Sequence, residues 1–172
     1  NMELLRNQAL TSVYEPGSVM KPLVAAISID EGLYDAETLI DCEGGTWRYA
    51  GKRIRDGHNK HQLISLTQVI QYSSNIGIAK VVLKLGAEKT IRKLKDMGFG
   101  RRLNLDFPGV PAGVLRSAKT IKPIELITTA YGYGMNTTML HLTSAFAALG
   151  NEGKLMQPTL VRERLTPDME LI

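Results

Sequence analysis

"YEPGSVMKP", Tyr14 to Pro22, places a serine three residues before a lysine, with a glycine ahead of it and a proline behind. Gly17 and Ser18 read as a helix start. Pro22 falls near the first turn, where a missing N–H costs little. The run "LVAAISI", Leu23 to Ile29, carries the helix on to about Glu31, and Gly32 stops it. On that helix Ser18 and Lys21 are i,i+3 neighbours, with Cβ atoms roughly 5–6 Å apart. A helix that is apolar on nearly every side is usually buried, so the pair stands at the exposed end of a buried post. A hydroxyl beside an amine in such a place suits a nucleophile and its base. The same four residues equally describe a helix-capping serine and a solvated lysine, so the rest of the chain must decide.

With 172 residues the chain is long enough for one domain with a real core. A hydrophobic share of 44% and a charged share of 22% are ordinary for a globular protein. The formal charge of +4 is mildly basic, and no basic run is interleaved with aromatics as a base-stacking platform requires, so nucleic acid is not an expected partner. Cys42 is the single cysteine, so no internal disulfide can form. That fits a reducing compartment, and equally a periplasmic protein without bridges. No apolar run approaches the ~18 residues of a membrane span, and no signal peptide opens the chain. The abrupt start reads as a piece of something larger.

Along the chain the pattern is mostly helical. Residues 39–61 change character: "CEGGTWRYAGKRIRDGHNKH" is rich in glycine and charge, and "TWRYAGKRIR" suits a short exposed hairpin around Ala50–Gly51. A second helical segment begins near Ser65, pauses at "YSSNIG" and resumes to Gly86. A third runs from Ala87 to Met97, before Gly98. Residues 102–115 form a loop with glycines and prolines. A fourth helix begins at Pro123 and runs into "YGYG"; a fifth, from Thr138, sets Leu142, Ala145, Phe146 and Leu149 at i, i+3, i+4, i+7. "LMQPTLVRERL" looks extended.

The pause at "SSN", Ser73 to Asn75, is the second chemical signal. Two serines and an asparagine favour local backbone hydrogen bonds and so break helices. Taken alone the segment is a polar kink. In a turn, however, Ser73 and Asn75 point the same way, so that a hydroxyl can relay a proton and an amide can hold a substrate carbonyl. His58 and His61 sit in a glycine-rich, charged loop without further ligands at metal spacing, so no metal is expected. His141 reads as an end-of-helix polar residue. The cations from Lys84 to Arg102 read as the wet face of one helix and its exit. No G-x-S-x-G elbow and no G-x-x-x-x-G-K-[ST] loop occurs.

S-x-x-K followed by S-x-N is the ordered pair used by penicillin-recognising serine enzymes, whose third element is a K-T-G strand. The likeness extends beyond these motifs. "YEPGSVMKP" resembles the nucleophile segment of class B penicillin-binding proteins, the monofunctional peptidoglycan transpeptidases. "QYSSNIGIAK" resembles their second motif, and "TTAYGYGMNTTMLHLTSAFAALGNEGKLMQPTLV" is similar to their helix–GYG–helix stretch. "IRDGHN…LTQVIQYSSNIG" is most similar to the division-type, FtsI-like members. The resemblance runs from about Asn7 to about Val161.

The resemblance implies an α/β (α+β) fold of the penicillin-binding-protein and serine β-lactamase type, and a role for each motif residue. Ser18 matches the acylated nucleophile and Lys21 its base, which must be neutral to accept a proton. Ser73 matches the serine that passes a proton to the leaving amine. Asn75 matches the amide that holds the peptide substrate and orients Lys21. The Ser18 N–H would be half of an oxyanion hole. The implied chemistry cross-links peptidoglycan stem peptides ending in D-Ala-D-Ala, without a cofactor. Implied with it are β-lactams as covalent inhibitors, division-complex proteins as partners, and a location on the periplasmic or extracellular face of the cytoplasmic membrane through an N-terminal anchor outside this chain.

The chain also departs from the family's pattern. No K-T-G follows "YGYG"; "AKTI" and "EKTI" carry Lys119–Thr120 and Lys89–Thr90 but end in isoleucine and precede the GYG block. Residues 1–172 are therefore expected to be a partial transpeptidase domain, mainly its helical lobe, lacking the first sheet strands and the K-T-G strand. The helix at Ser18 would lose its sheet cover. Two alternatives stay open: a serine β-lactamase or D,D-carboxypeptidase of the same fold, in which water takes the acyl group, and a non-catalytic β-lactam-sensing module.

Overall fold

The apolar run after Ser18 folds as a helix, but in two steps. A 3-10 turn spans Gly17–Val19, and the α-helix proper, α2, runs Met20–Asp30. The computed structural model describes residues 6–57, 60–163, 166 and 168. Ahead of α2 lies a single turn, α1 (Gln8–Thr11), whose N-cap Asn7 accepts from the Leu10 N–H. The sequence reading gave no helix there, since four residues carry no periodicity.

The hairpin around Ala50–Gly51 forms as predicted. Strand β2 (Thr46–Tyr49) pairs antiparallel with β3 (Lys52–Arg55), with Tyr49 opposite Lys52. Ala50 and Gly51 both take positive φ, as a two-residue primed turn demands. Two short strands were not foreseen. β1 (Leu39–Asp41) and β4 (Leu63–Ser65) pair antiparallel and close the base of the glycine-rich insert. Three residues are too few to show alternation, and pairing supplies what propensity does not.

Ser65 then caps α3 (Leu66–Gln71) through a capping box with Gln68. After the SSN turn, Ser74 caps α4 (Asn75–Leu85). The remaining helices are α5 (Ala87–Asp96), α6 (Pro123–Ala130) and α7 (Met139–Leu149). The chain is thus mixed α/β, helix-dominated, with two two-stranded sheets among the described residues.

The core is built around α4. Its Ile76, Ile78, Ala79, Val81, Val82 and Leu85 are buried, packed by α2, α5 and α6. Helix α2 contributes Met20, Leu23, Val24, Ala25 and Ile27 to the same core. The helix expected to lose its sheet cover is nevertheless covered: helices α4, α5, α6 and α7 pack on it, and of its aliphatic residues only Ile29 is exposed.

The uncovered face lies on α7 instead. That helix buries His141, Ala145 and Ala148, while Met139, Phe146 and Leu149 are exposed. The i, i+3, i+4, i+7 stripe read from sequence is thus rotated relative to the side that packs, because an all-round apolar helix does not say which side that is. His141 is fully buried rather than a polar end group: its Nδ1 lies 2.7 Å from Thr138 Oγ1 and its Nε2 2.9 Å from the Arg101 carbonyl. Residues 154–163 form no strand, and Arg164 and Leu165, the end of the stretch expected to be extended, lie outside the described residues.

Candidate active site

Lys21 is the most unusual side chain in the molecule. It lies on the first turn of α2, is only 2% exposed, and is among the largest fully buried residues. An ammonium in such a place must be hydrogen-bonded or lose its proton. Its Nζ donates to the Ser73 backbone carbonyl at 2.6 Å and to the Ser73 hydroxyl at 2.9 Å. Burial pulls its pKa down to about 8, against an opposing pull from the Asp56 carboxylate.

Ser73 can offer both oxygens because its backbone is left-handed, with φ +54. A serine pays roughly 1–2 kcal/mol for that conformation, so the surrounding turn must enforce it. The enforcement comes from the glycine-rich insert. The Ser74 hydroxyl donates to Asp56 Oδ2 at 2.7 Å and accepts the Gly77 N–H at 2.9 Å. The Ile76 N–H donates to Asp56 Oδ1 at 3.0 Å. The Asn75 amide donates to the Arg55 carbonyl at 2.8 Å. The hairpin that carries Arg55 and Asp56 is seated by buried Ile54 and by Trp47, over whose ring Lys80 Nζ sits at 5.4 Å.

Ser18 occupies the 3-10 turn one step ahead of Lys21 and is exposed. Among the described residues its hydroxyl has no hydrogen-bond partner. Its N–H lies in the first turn, where helix geometry leaves donors free. The turn is gripped by the segment after α6. Tyr14 and Thr137 exchange N–H to carbonyl bonds at 3.0 Å each, the Gly17 N–H donates to the Gly132 carbonyl at 3.0 Å, and the Gly134 N–H donates to Glu15 Oε1 at 2.8 Å. Gly132, at φ +84, presses so closely that a Cβ would overlap the Gly17 backbone.

The four residues singled out in the sequence therefore fall on one pair of helix starts. Ser18 and Lys21 stand at the head of α2; Ser73 and Asn75 lead into α4. The structure joins Lys21 to Ser73 directly and turns the Asn75 side chain toward Arg55. Sequence reasoning passed over Asp56, Glu15 and Gly132. Asp56 stood in the sequence only as part of "IRDGHN", quoted for its family likeness, and as an aspartate–glycine pair closing a predicted strand, which marks a turn rather than a function. His58 lies outside the described residues. His61 stacks on Tyr72, with ring centroids 4.3 Å apart.

Residues 1–168 match the penicillin binding protein transpeptidase domain. The chain belongs to this family. Among curated relatives, it is 32% identical over 165 residues to the probable peptidoglycan D,D-transpeptidase PenA of Neisseria meningitidis, covering 96% of this chain and 28% of that protein. It is 29% identical over 173 residues to the peptidoglycan D,D-transpeptidase FtsI of Escherichia coli, covering 96% of this chain and 29% of that one. The chain thus spans less than a third of the length of these relatives. Among solved structures, the apo transpeptidase domain of penicillin-binding protein 3 from Burkholderia pseudomallei superimposes with a TM-score of 0.88 at 32% identity, covering 98% of this chain and 50% of that chain. The fold is that of a penicillin-binding-protein transpeptidase domain.

Proposed function

We propose that the protein carrying this chain is a serine-type peptidoglycan D,D-transpeptidase, with Ser18 as nucleophile and Lys21 as its base. The observation that carries the reading is the buried Lys21 amine, committed to Ser73 and standing one helical turn from a Ser18 hydroxyl with no partner among the described residues. A neutral amine has two N–H bonds and one lone pair. With both hydrogens engaged by Ser73, the lone pair is left for the Ser18 proton.

The chemistry follows from that arrangement. Lys21 takes the Ser18 proton as Oγ attacks the carbonyl of the penultimate D-alanine of a stem peptide. The Ser18 N–H stabilises the tetrahedral oxyanion. As the C–N bond breaks, a proton passes from Lys21 through the Ser73 hydroxyl to the departing amine, and an ester to Ser18 remains. An amine from a neighbouring stem then attacks that ester, a new amide forms, and Ser18 regains its proton. Asn75 holds the substrate peptide once it exchanges the Arg55 carbonyl for it.

Residues 1–172 are proposed to be part of a transpeptidase domain. Support for this is that they hold no K-T-G after "YGYG" and cover half of the matched transpeptidase-domain structure. A role in septal division belongs to the same proposal, on likeness to proteins named peptidoglycan D,D-transpeptidase FtsI and stage V sporulation protein D; division proteins as partners and an N-terminal membrane anchor outside this chain are proposed with it. The deciding experiment is labelling of the intact protein with penicillin, followed by mass spectrometry of its peptides. The adduct is expected on Ser18. An adduct elsewhere, or none in folded protein, overturns the assignment.

A further inference from the structure

Asp56 is a carboxylate that the reaction above does not use, yet it is 8% exposed and sits against Ser74 and Ile76, just after Ser73. Surface carboxylates need no explanation; buried ones cost several kcal/mol unless their oxygens are satisfied. Both oxygens of Asp56 are satisfied by the SSN turn: one by the Ser74 hydroxyl at 2.7 Å, the other by the Ile76 N–H at 3.0 Å. The adjacent Arg55 carbonyl takes the Asn75 amide. The end of β3 therefore grips Ser74, Asn75 and Ile76 in succession, and the residue immediately before this grip is left-handed Ser73, the partner of Lys21.

We propose that Asp56 is a positioning residue for acyl transfer, holding the Ser73–Asn75 turn so that both Ser73 oxygens meet the Lys21 amine, with its carboxylate charge kept close to that contact. The inference rests on the assignment of Lys21 as base. The ionisable groups around the cluster are Lys21 from α2, Asp41 and Cys42 at the end of β1, and Lys80 from α4. The charge that acts on Lys21 is that of Asp56, and it favours the protonated amine. Cys42 Sγ touches the far side of Ser74, 3.4 Å from its hydroxyl, and is neutral there because burial raises its pKa.

Two effects separate in the variants. Asp56→Asn keeps the shape and one acceptor but removes the charge. Ser74→Ala keeps the charge but removes the hydroxyl that donates to Asp56 and caps α4. Acylation of the intact protein by a fluorescent penicillin is measured across pH for the parent, both variants and Lys21→Arg, with folding checked by circular dichroism. Asp56→Asn is expected to slow acylation about 10–10²-fold, the cost of misplacing a catalytic group by an ångström or less, and to move the acid limb of the profile to lower pH. Ser74→Ala is expected to slow acylation without moving that limb. A folded Asp56→Asn whose limb coincides with the parent's shows a structural aspartate only and overturns the inference, while the Lys21 assignment stands. If Asp56→Asn does not fold, a Ser74→Ala variant that acylates at the parent rate overturns it. Lys21→Arg labelling at the parent rate defeats the base assignment itself, and this inference with it.

Discussion

Lys21 Nζ lies 2.6 Å from the Ser73 carbonyl and 2.9 Å from its hydroxyl, across fifty-two residues of chain. One amine is thereby locked to a single residue that can both hold it and exchange protons with it. With a pKa pulled to about 8, roughly one Lys21 in ten is neutral at pH 7, since each pH unit is a factor of ten in that ratio.

Acylation of Ser18 should therefore rise with pH to a limb near 8. Lys21→Arg should slow it by about 10²–10⁴-fold, because guanidinium stays protonated. The same group leaves a mark on stability. Its folded pKa lies below its unfolded one, so between about 8 and 10.5 the unfolded chain binds more protons, and Lys21 is better tolerated as pH rises. The stability advantage of Lys21→Met over the parent should shrink across that window, as measured by denaturant unfolding at each pH.

Ser73 combines strain with function. Ser73→Ala should lose the hydroxyl contact and slow acylation by about 10²-fold, the lower end for a positioned proton-transfer group. Ser73→Gly should be as slow, yet more stable than Ser73→Ala by about 1 kcal/mol, because glycine takes φ +54 without Cβ strain. Equal stability of the two variants would show that the left-handed turn is not under strain.

Gly132 and Gly134 test the grip on the nucleophile turn. Both have positive φ, but a Cβ on Gly132 would overlap the Gly17 backbone, whereas one on Gly134 meets only Thr128 Oγ1 at 3.5 Å. Gly134→Ala should cost about 1–2 kcal/mol of stability and leave Ser18 labelling close to the parent rate. Gly132→Ala must displace Ser18's turn and should cut labelling by about 10²-fold as well. Stopped-flow acylation and thermal unfolding of the pair decide this.

Residues 1–172 expressed alone should label poorly with penicillin, since each missing oxyanion donor typically costs about 10²–10³ in rate. The exposed Met139, Phe146 and Leu149 of α7, with Leu155 and Met156 after it, form the face expected to associate. Sedimentation should show mass rising with concentration. Rapid stoichiometric labelling of a monomer would defeat this prediction.

The sequence by itself determined the elements whose signals are local. Gly17–Ser18 with its apolar run, the helix starts near Ser65 and at Thr138, Pro123 and the Ala50–Gly51 hairpin were all legible, because turns and helix periods act over four or five residues. Ser18, Lys21, Ser73 and Asn75 could be picked out as two spaced motifs. Only the tertiary structure decided what surrounds them. It chose α4 rather than α2 as the centre of the core and turned Phe146 and Leu149 outward. It buried His141, and it brought Asp56 under the SSN turn and Gly132 onto Gly17. Each of these is a choice between faces or partners far apart in the chain. No local propensity distinguishes one apolar side of a helix from another, or a turn aspartate in water from one gripped by two donors. Packing does, because a buried charge without partners costs more than the chain can spare.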